Sequence, residues 1–411
     1  MEEAESAGLA RTLFHRTVGW NIVGYAAGLV SSLATARMLL PEFRGLFGVT
    51  MTGCSVIILV VAMGTNVSVR VYLPRKLVSA RTYVRLSGKL LPLSAVAAVS
   101  FCVVYGVLFL RGLLDVKFLI AVAWWAVAAY GCGQLADLYN ALGRTNDSAR
   151  AIFAASCITA VLLCIAWVAG GGLTEAMVCY AIGSTTRLIW SALDLRPAVA
   201  ADRVEVSGAQ RTLIVQGLKL LPLNVGQTLA FRLDQLVIGA LMTSTDVGIY
   251  AVATTPIAVP EVISSSIAQV VFFGRASGKM SKKSALRWAG LAAFQTAIVG
   301  ALVTMFGPWA ISLVFGAEFD VSHSLLAVMA LSEVVLAPYI VLSRAVAGDA
   351  KVGLAGFGGI LGIAVTLAAV VLLVPRFGLP GAALGDAIGY CVMSGCSVVF
   401  LLRKPALPVE V

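Results

Sequence analysis

Charged residues are scarce in this chain of 411 residues, where Asp, Glu, Lys and Arg together make up 12%. A soluble domain usually carries about a quarter charged residues, so the scarcity excludes an ordinary soluble protein. Hydrophobic residues account for 60% of the chain, and the mean hydropathy is +0.95. The composition therefore predicts a protein that crosses a membrane several times.

Several chemical signatures are also missing. The two histidines, His15 and His323, stand alone, and the eight cysteines lie in apolar segments without paired CxxC motifs, so no metal site is expected. There is no GxxxxGK[ST] loop for ATP. No Ser–His–Asp or paired-carboxylate arrangement can be placed, and no basic domain is present for nucleic acid. We expect no enzyme activity and no cofactor.

Long apolar runs, separated by charged or Pro/Gly-rich loops, divide the chain into spans. Open sheets cannot cross lipid and barrel strands alternate in polarity, so the spans are predicted to be helices. The predicted fold class is an all-α integral membrane protein with twelve transmembrane helices. They lie near residues 18–40, 46–68, 90–110, 118–139, 151–169, 175–194, 213–242, 248–272, 288–308, 322–343, 352–374 and 381–402.

The distribution of basic residues predicts the orientation. If both termini lie on one side of the membrane, the loops on that side and the two tails together hold 22 of the 30 Lys and Arg. The opposite loops hold five, and three lie within spans. Cytoplasmic loops carry the excess of positive charge, so both termini are predicted to be cytoplasmic.

The sequence repeats itself after about 200 residues. RGLFGV at 44–49 aligns with VGIYAV at 247–252, VYLPR at 71–75 with VFFGR at 271–275, and GLTEAMVCYAIG at 172–183 with GLPGAALGDAIG at 378–389. Each copy holds six spans, which predicts two lobes related by a pseudo-two-fold axis along the membrane normal. The predicted lobes are residues 1–194 and 212–411, joined by a cytoplasmic linker at 195–211.

The seventh predicted span, 213–242, is apolar yet carries an unusual number of polar residues. Charges inside a span are costly and are functional candidates by default. At about 100° per residue most of the polar positions fall on one arc of the helix. Arg232 and Asp234 are two positions apart and should not neutralise each other within a helix. Pro222 is expected to kink the span.

The repeat provides an internal control for these charges. Arg232 and Asp234 correspond to Leu29 and Ser31 in the first copy, and Asp386 corresponds to Tyr180. Arg187 in the first copy corresponds to Met393 in the second. Because an uncharged residue serves at each position in the other copy, the charges are not required by the architecture.

Two sets of candidate site residues follow. The residues proposed to bind substrate are cationic or amide-bearing: Lys219, Arg232, Asn21, Asn224, Gln227 and Gln235. For Lys219 and Arg232, the alternatives are a paired structural charge or a position at the membrane interface. The candidates for ion coupling or charge pairing are Asp234, Glu261, Glu333, Asp386, Asp137 and Arg187.

Three segments carry a resemblance to a known family. They are ARMLLPEFRGLFG at 36–48, LDQLVIG at 233–239 leading into DVGIYA at 246–251, and VPRFGLPGAA at 374–383. The chain resembles the polysaccharide-biosynthesis flippases, of the superfamily that includes multidrug and toxin extruders. Arg44, with no Gly before it, and the absence of Gly-Pro at 242–247 depart from the family pattern.

The resemblance implies a multi-pass protein of the bacterial inner membrane. Its expected substrate is an undecaprenyl-diphosphate-linked oligosaccharide, moved from the cytoplasmic to the outer leaflet. Expected partners are membrane lipids and polysaccharide polymerase or assembly proteins, and the chain is expected to be a monomer.

The polar residues favour a secondary transporter with alternating access around a cationic cleft. Arg and Lys suit a diphosphate, and Asn and Gln suit sugar hydroxyls. The nearest alternative is a multidrug extruder of the same fold, although the first span, 18–40, lacks the acids that cationic drugs need. A membrane glycosyltransferase normally needs a large outer loop, and the longest here is about a dozen residues, near 309–321. A structural scaffold would not need an asymmetrically charged span.

Overall fold

The structure is a computed structural model that describes residues 2–109, 115–202, 208–230, 232–276, 278, 280–349 and 352–403. Throughout these ranges every regular element is helical, as expected for apolar segments that must satisfy their own backbone hydrogen bonds in lipid. The helices in chain order are α1 Glu2–Val61, α2 Thr65–Tyr72, α3 Ala80–Leu108, α4 Val116–Ala141, α5 Thr145–Val168, α6 Leu173–Ala201, α7 Ala209–Ala230, α8 Leu233–Leu241, α9 Ser244–Ile257, α10 Val259–Ala276, α11 Lys282–Phe315, α12 His323–Gly348, α13 Val352–Phe377 and α14 Leu379–Leu402.

Eight of these helices are long and apolar enough to cross a membrane within the described ranges. The number becomes nine if α9 and α10, which meet at a bend of 50°, are counted as one span. The all-helical membrane class is therefore confirmed, and the number twelve remains a prediction. Helix α1 contains a kink at Leu40 (φ 57°, ψ 174°), immediately before Pro41. Leu40 is the last residue of the first predicted span.

The seventh predicted span differs from the expectation. Helix α7 continues past Pro222 to Ala230, and α8 begins at Leu233 after an interruption of two residues. The kink expected at Pro222 remains a prediction, and an interruption between the two helices lies about ten residues further along. Its physical reason is visible at Asp234, which occupies the first turn of α8 and accepts the backbone N–H of Gln235 at 2.8 Å. An acidic residue in a first turn stabilises a new helix start.

The chain divides into two compact units. One comprises Met1–Leu39 and Thr50–Asn224, and the other Leu40–Val49 and Val225–Val411. In the first unit, α4 packs on α3 and α6, while α5 packs on α6. In the second unit, α12 packs on α11 and α14, while α13 packs on α14. The two halves of the sequence thus pack their helices in the same order, and the predicted lobe boundaries at 194 and 212 remain a prediction.

Each unit contains an arginine–aspartate pair whose arginine stands in the last turn of a helix. Arg70, in the last turn of α2, donates from Nε to Oδ1 of Asp137 on α4 at 2.7 Å. Arg275, in the last turn of α10, donates from Nε and Nη2 to Oδ1 of Asp349 at 2.9 and 2.6 Å. Asp349 caps the end of α12. The predicted candidate Asp137 is therefore a partner of Arg70 in the first unit.

Candidate functional site: a buried carboxyl cluster in the second unit

The start of α8 brings two oppositely charged residues together. Because α7 ends at Ala230, Arg232 precedes α8 rather than lying on a continuous helix. Its guanidinium acts electrostatically on the Asp234 carboxylate, but no ion pair within 4.0 Å joins the two among the described residues, so the expectation that they do not neutralise each other stays a prediction. That expectation assumed an unbroken helix, in which positions two apart face different ways. Arg232 is exposed, whereas Asp234 is 8% exposed.

Asp386 on α14 forms the second part of the site. The Tyr250 hydroxyl of α9 donates to Oδ2 of Asp386 at 3.2 Å. Asp386 and Tyr250 are 5% and 1% exposed, and Asp386 also interacts directly with Asp234. The other oxygen, Oδ1 of Asp386, is buried without a hydrogen-bond partner among the described residues. A buried acceptor without a partner is costly, and this one is free to receive a proton or a ligand.

Two glutamates extend the group. Glu333 on α12 interacts electrostatically with Asp386, Asp234 and Glu261. Glu261 stands in the first turn of α10, just after the bend that separates α9 from α10. We call Asp234, Asp386, Glu333 and Glu261 the carboxyl cluster. Four helices, α8, α14, α12 and α10, each contribute one member.

The charge of the carboxyl cluster is only partly balanced. Arg232 interacts with Asp234 and Glu261, but no ion pair within 4.0 Å joins it to an acid in the described part of the chain. Like charges brought together away from water repel each other strongly. A proton or a monovalent cation would relieve that repulsion. Among the described residues, no group of three or more His, Cys, Asp or Glu is arranged to hold a metal ion.

A polar cavity reaches one end of the carboxyl cluster. It has a volume of about 130 Å³ and runs between α10 and α12 from Glu261 toward the ends of these helices near Arg344. Its polar lining comes from Glu261, Ser265, Gln269, Tyr339, Ser343 and Arg344. A cavity of this size and polarity can hold water, and its lining places that water beside Glu261.

The repeat shows what the fold needs at these positions. In the first copy, Ser31 occupies the position that corresponds to Asp234 in the second copy. Its hydroxyl donates to the carbonyl of Ala27 on the same helix at 3.0 Å. Ser31 is 3% exposed, so the same buried position is satisfied there without any charge. The charge of Asp234 is therefore an addition to the second copy rather than a requirement of the shared architecture.

The other predicted residues are not members of the carboxyl cluster. Lys219 is exposed on α7, and Gln235 is 6% exposed beside Asp234 on α8. Arg187 on α6 belongs to the first unit, where it interacts with Asp137 and Cys132. The side chains of Asn21, Asn224 and Gln227 lie outside the described residues.

Two tyrosines of the site were not predicted from the sequence. Tyr250 hydrogen-bonds Asp386, and Tyr390 interacts with all four carboxyls. Tyr250 does lie in the repeated VGIYAV segment, and Tyr390 stands four positions after Asp386, one helical turn away. A search for tyrosines one turn from intramembrane acids would have found Tyr390.

Comparison with known proteins identifies relatives of this chain. The sequence profile described as polysaccharide biosynthesis protein matches residues 15–273. The probable low-salt glycan biosynthesis flippase Agl15 of Haloferax volcanii is 21% identical over 242 residues, which cover 56% of this chain and 51% of the relative. The chain thus spans about half the length of the curated relative it matches.

Solved structures share the fold. The lipid II flippase MurJ in an inward closed conformation matches with a TM-score of 0.71 at 13% identity, covering 95% of this chain and 86% of that one. The eukaryotic MATE transporter AtDTX14 matches with a TM-score of 0.62 at 14% identity, covering 95% and 97%. At these identities the likeness concerns the fold alone.

Proposed function

Because the chain belongs to the polysaccharide biosynthesis protein family, we propose that it is a flippase for a lipid-linked oligosaccharide. The family match over residues 15–273 is the observation that carries the proposal. The relative from Haloferax volcanii, named as a probable glycan biosynthesis flippase, supports the same class of substrate. The proposed cargo is an undecaprenyl-diphosphate-linked oligosaccharide, moved by alternating access from the cytoplasmic to the outer leaflet of a bacterial inner membrane.

The proposed substrate contacts are Arg232 and Lys219. A diphosphate presents fixed negative charge to which a guanidinium can donate two parallel hydrogen bonds. Both side chains are exposed rather than enclosed by protein, and neither forms an ion pair with a described acid. They are thus available to an incoming anion.

A pair of substitutions tests this function. We expect Arg232→Gln with Lys219→Gln to lower export at least about tenfold, because charge-assisted hydrogen bonds contribute about 1.5–3 kcal/mol and exposure favours the lower end. Arg232→Lys should restore export only in part, since an ammonium cannot make the two-pronged contact. The measurement is the lipid-linked oligosaccharide retained in the cytoplasmic leaflet of cells that depend on this protein, normalised to protein amount.

The control is Arg287→Gln, which removes an exposed positive charge from the first turns of α11. Full export by the double Gln variant would contradict the proposed substrate contacts. Normal oligosaccharide export in cells that lack the protein would contradict the flippase function itself.

A multidrug extruder is the second candidate, favoured by the acids of the carboxyl cluster and by the fold shared with MATE transporters. Cationic drugs and coupling ions both require carboxylates in the membrane. Drug accumulation in cells with and without the protein separates the candidates. A change in drug efflux with unchanged oligosaccharide export would favour the extruder.

The proposed topology has twelve spans and two cytoplasmic ends. The kink at Leu40 would separate the first two spans, and α7 with α8, and α9 with α10, would each form one. The basic residues, 22 against five, support the orientation. A reporter that is active only outside the cytoplasm, fused after Lys404, should be inactive. The same reporter inserted at 316–321, the loop before α12, should be active, and the reverse result would contradict the topology.

A further inference from the structure

The first unit contains a groove on its α3 and α6 side that the proposed transport does not use. Its volume is about 290 Å³, near the lower end of the roughly 300–1,000 Å³ typical of ligand pockets. Apolar side chains line it, and two arginines stand at its edge. We call it the α3–α6 groove; its lining is Arg81, Val84, Leu135, Ala192, Leu195, Arg196, Val199 and Ala200.

The two arginines are available to an anion. Arg81 makes one long hydrogen bond, from Nη2 to the carbonyl of Ala200 at 3.4 Å, out of the five donors that a guanidinium carries. The nearby Asp202 carboxylate instead accepts the backbone N–H of Ala80 at 2.7 Å. Within the described residues, neither Arg81 nor Arg196 forms an ion pair with an acid.

The position of the groove suits the membrane interface. It lies where α3 begins and α6 ends, the end that the basic residues assign to the cytoplasm. On α6, the side chains one to two turns before Arg196 are apolar and exposed: Ile189 55%, Trp190 48% and Leu193 63%. Trp is typical of the headgroup level of a bilayer, so we expect the arginines at the level of the lipid phosphates and the apolar lining at the level of the acyl chains.

We infer that the α3–α6 groove binds an anionic phospholipid of the cytoplasmic leaflet. Its phosphate would accept hydrogen bonds from Arg81 and Arg196, as guanidinium groups bind phosphate in other proteins. One acyl chain would lie along Val84, Leu135, Leu195 and Val199. The lining explains why the occupant is not the glycan substrate, because the six residues other than the arginines offer no polar side chain to sugar hydroxyls.

Native mass spectrometry of the purified full-length protein tests this inference, with phosphatidylglycerol as the probe. Basic residues near an anionic surface contribute about 1 kcal/mol each, so Arg81→Gln with Arg196→Gln should weaken phosphatidylglycerol binding about 30-fold. Ala192→Phe should also weaken it, because Ala192 lies exposed on the groove lining and a larger side chain fills the space without changing charge. Bound lipid should raise the melting temperature of the wild type by mass action, and not that of the double variant.

The matched control is Arg85→Gln with Arg150→Gln, two exposed arginines that do not line the groove. These should leave binding unchanged. An equal loss in the control pair would overturn the inference by showing a general effect of surface charge. Equal binding of phosphatidylethanolamine would overturn the requirement for an anionic lipid. Displacement of phosphatidylglycerol by undecaprenyl diphosphate at a tenfold lower concentration would make the groove a substrate site instead.

Discussion

Asp386→Asn is expected to abolish the response of the protein to the coupling cation that we propose for the carboxyl cluster. Asn has nearly the same shape as Asp but lacks the charge, so the packing of α14 should be preserved. Asp386 is 5% exposed and interacts with Asp234 and Glu333, so a cation bound there would depend on its carboxylate. Removing one partner of a buried charge interaction typically costs about 3–5 kcal/mol, which corresponds to a loss of cation affinity of about 100-fold or more.

The measurement is thermal unfolding of the purified protein over a series of Na⁺, Li⁺ and K⁺ concentrations and of pH values. A cation that binds the folded state stabilises it by about 2.7 kcal/mol at 100 times its Kd, and the Asn variant should lose this stabilisation. Stabilisation by Na⁺ or Li⁺ at constant pH would identify a metal cation as the coupling ion. A dependence on pH alone would identify the proton.

Asp320→Asn is the matched control, because Asp320 is an exposed aspartate in the loop before α12. It should respond to cations as the wild type does. An Asp386→Asn variant with a normal cation and pH response would contradict the proposed role of Asp386 in cation binding. In a transport measurement the same variant should no longer respond to an imposed ion gradient.

The sequence predicts the membrane class and the repeat well because both rest on many residues. Hydrophobic runs of about 20 residues are nearly unambiguous, and three ordered matches at nearly one offset are hard to obtain by chance. Every regular element among the described residues is a helix, as the sequence predicts. Helix ends are less predictable: α11 runs from Lys282 to Phe315, well beyond the predicted span 288–308, because helices extend past the hydrocarbon into loops.

The interruption before α8 shows why a local pattern can mislead. Pro222 predicts a kink in the seventh span, but no proline or glycine marks the place where α7 ends and α8 begins. The break falls at Arg232, where the following Asp234 can stabilise a new first turn. Asp234 is a helix-start signal that can be read from the sequence, but the apolar residues on both sides of it predict one continuous span.

The carboxyl cluster was predictable as a set of residues but not as a group. Intramembrane acids are easily recognised one by one, and Asp234, Glu261, Glu333 and Asp386 were all candidates. Their assembly depends on contacts across four helices up to about 150 residues apart in sequence. Asp137 is also an acidic residue within a predicted span, yet it pairs with Arg70 and is not a member of the carboxyl cluster.

Gly45→Ala is expected to prevent most of the protein from folding. A Cβ atom at Gly45 would lie 1.7 Å from the backbone oxygen of Ser244 and 2.9 Å from the backbone nitrogen of Gly248. Backbone atoms cannot rotate away as a side chain can, so the segment at 40–49 would have to separate from α9. Overpacking costs about 1–3 kcal/mol where side chains can adjust and more where they cannot, against a total stability of only about 5–15 kcal/mol.

Gly248, in the second copy of the repeated motif, also has no room for a Cβ atom. A Cβ atom at Gly248 would lie 1.9 Å from the carbonyl oxygen of Pro41, so Gly248→Ala should be as damaging as Gly45→Ala. Gly248 stands two positions before Tyr250, which hydrogen-bonds Asp386. The close approach of the two copies of the motif therefore holds the carboxyl cluster's tyrosine in place as well as the helices.

Gly48→Ala is the matched control, three positions along the same helix. Its added Cβ would meet only the Cβ of Ala251, at an ordinary 3.9 Å, and alanine is the better helix former by about 1 kcal/mol. The yield of monodisperse protein by size-exclusion chromatography in detergent, and its melting temperature, should stay at or slightly above the wild-type values. Gly45→Ala and Gly248→Ala should instead give little monodisperse protein. Equal yields for Gly45→Ala and Gly48→Ala would show that residues 40–49 can separate from α9 without loss of the fold, since the two substitutions add the same methyl group and differ only in what it meets.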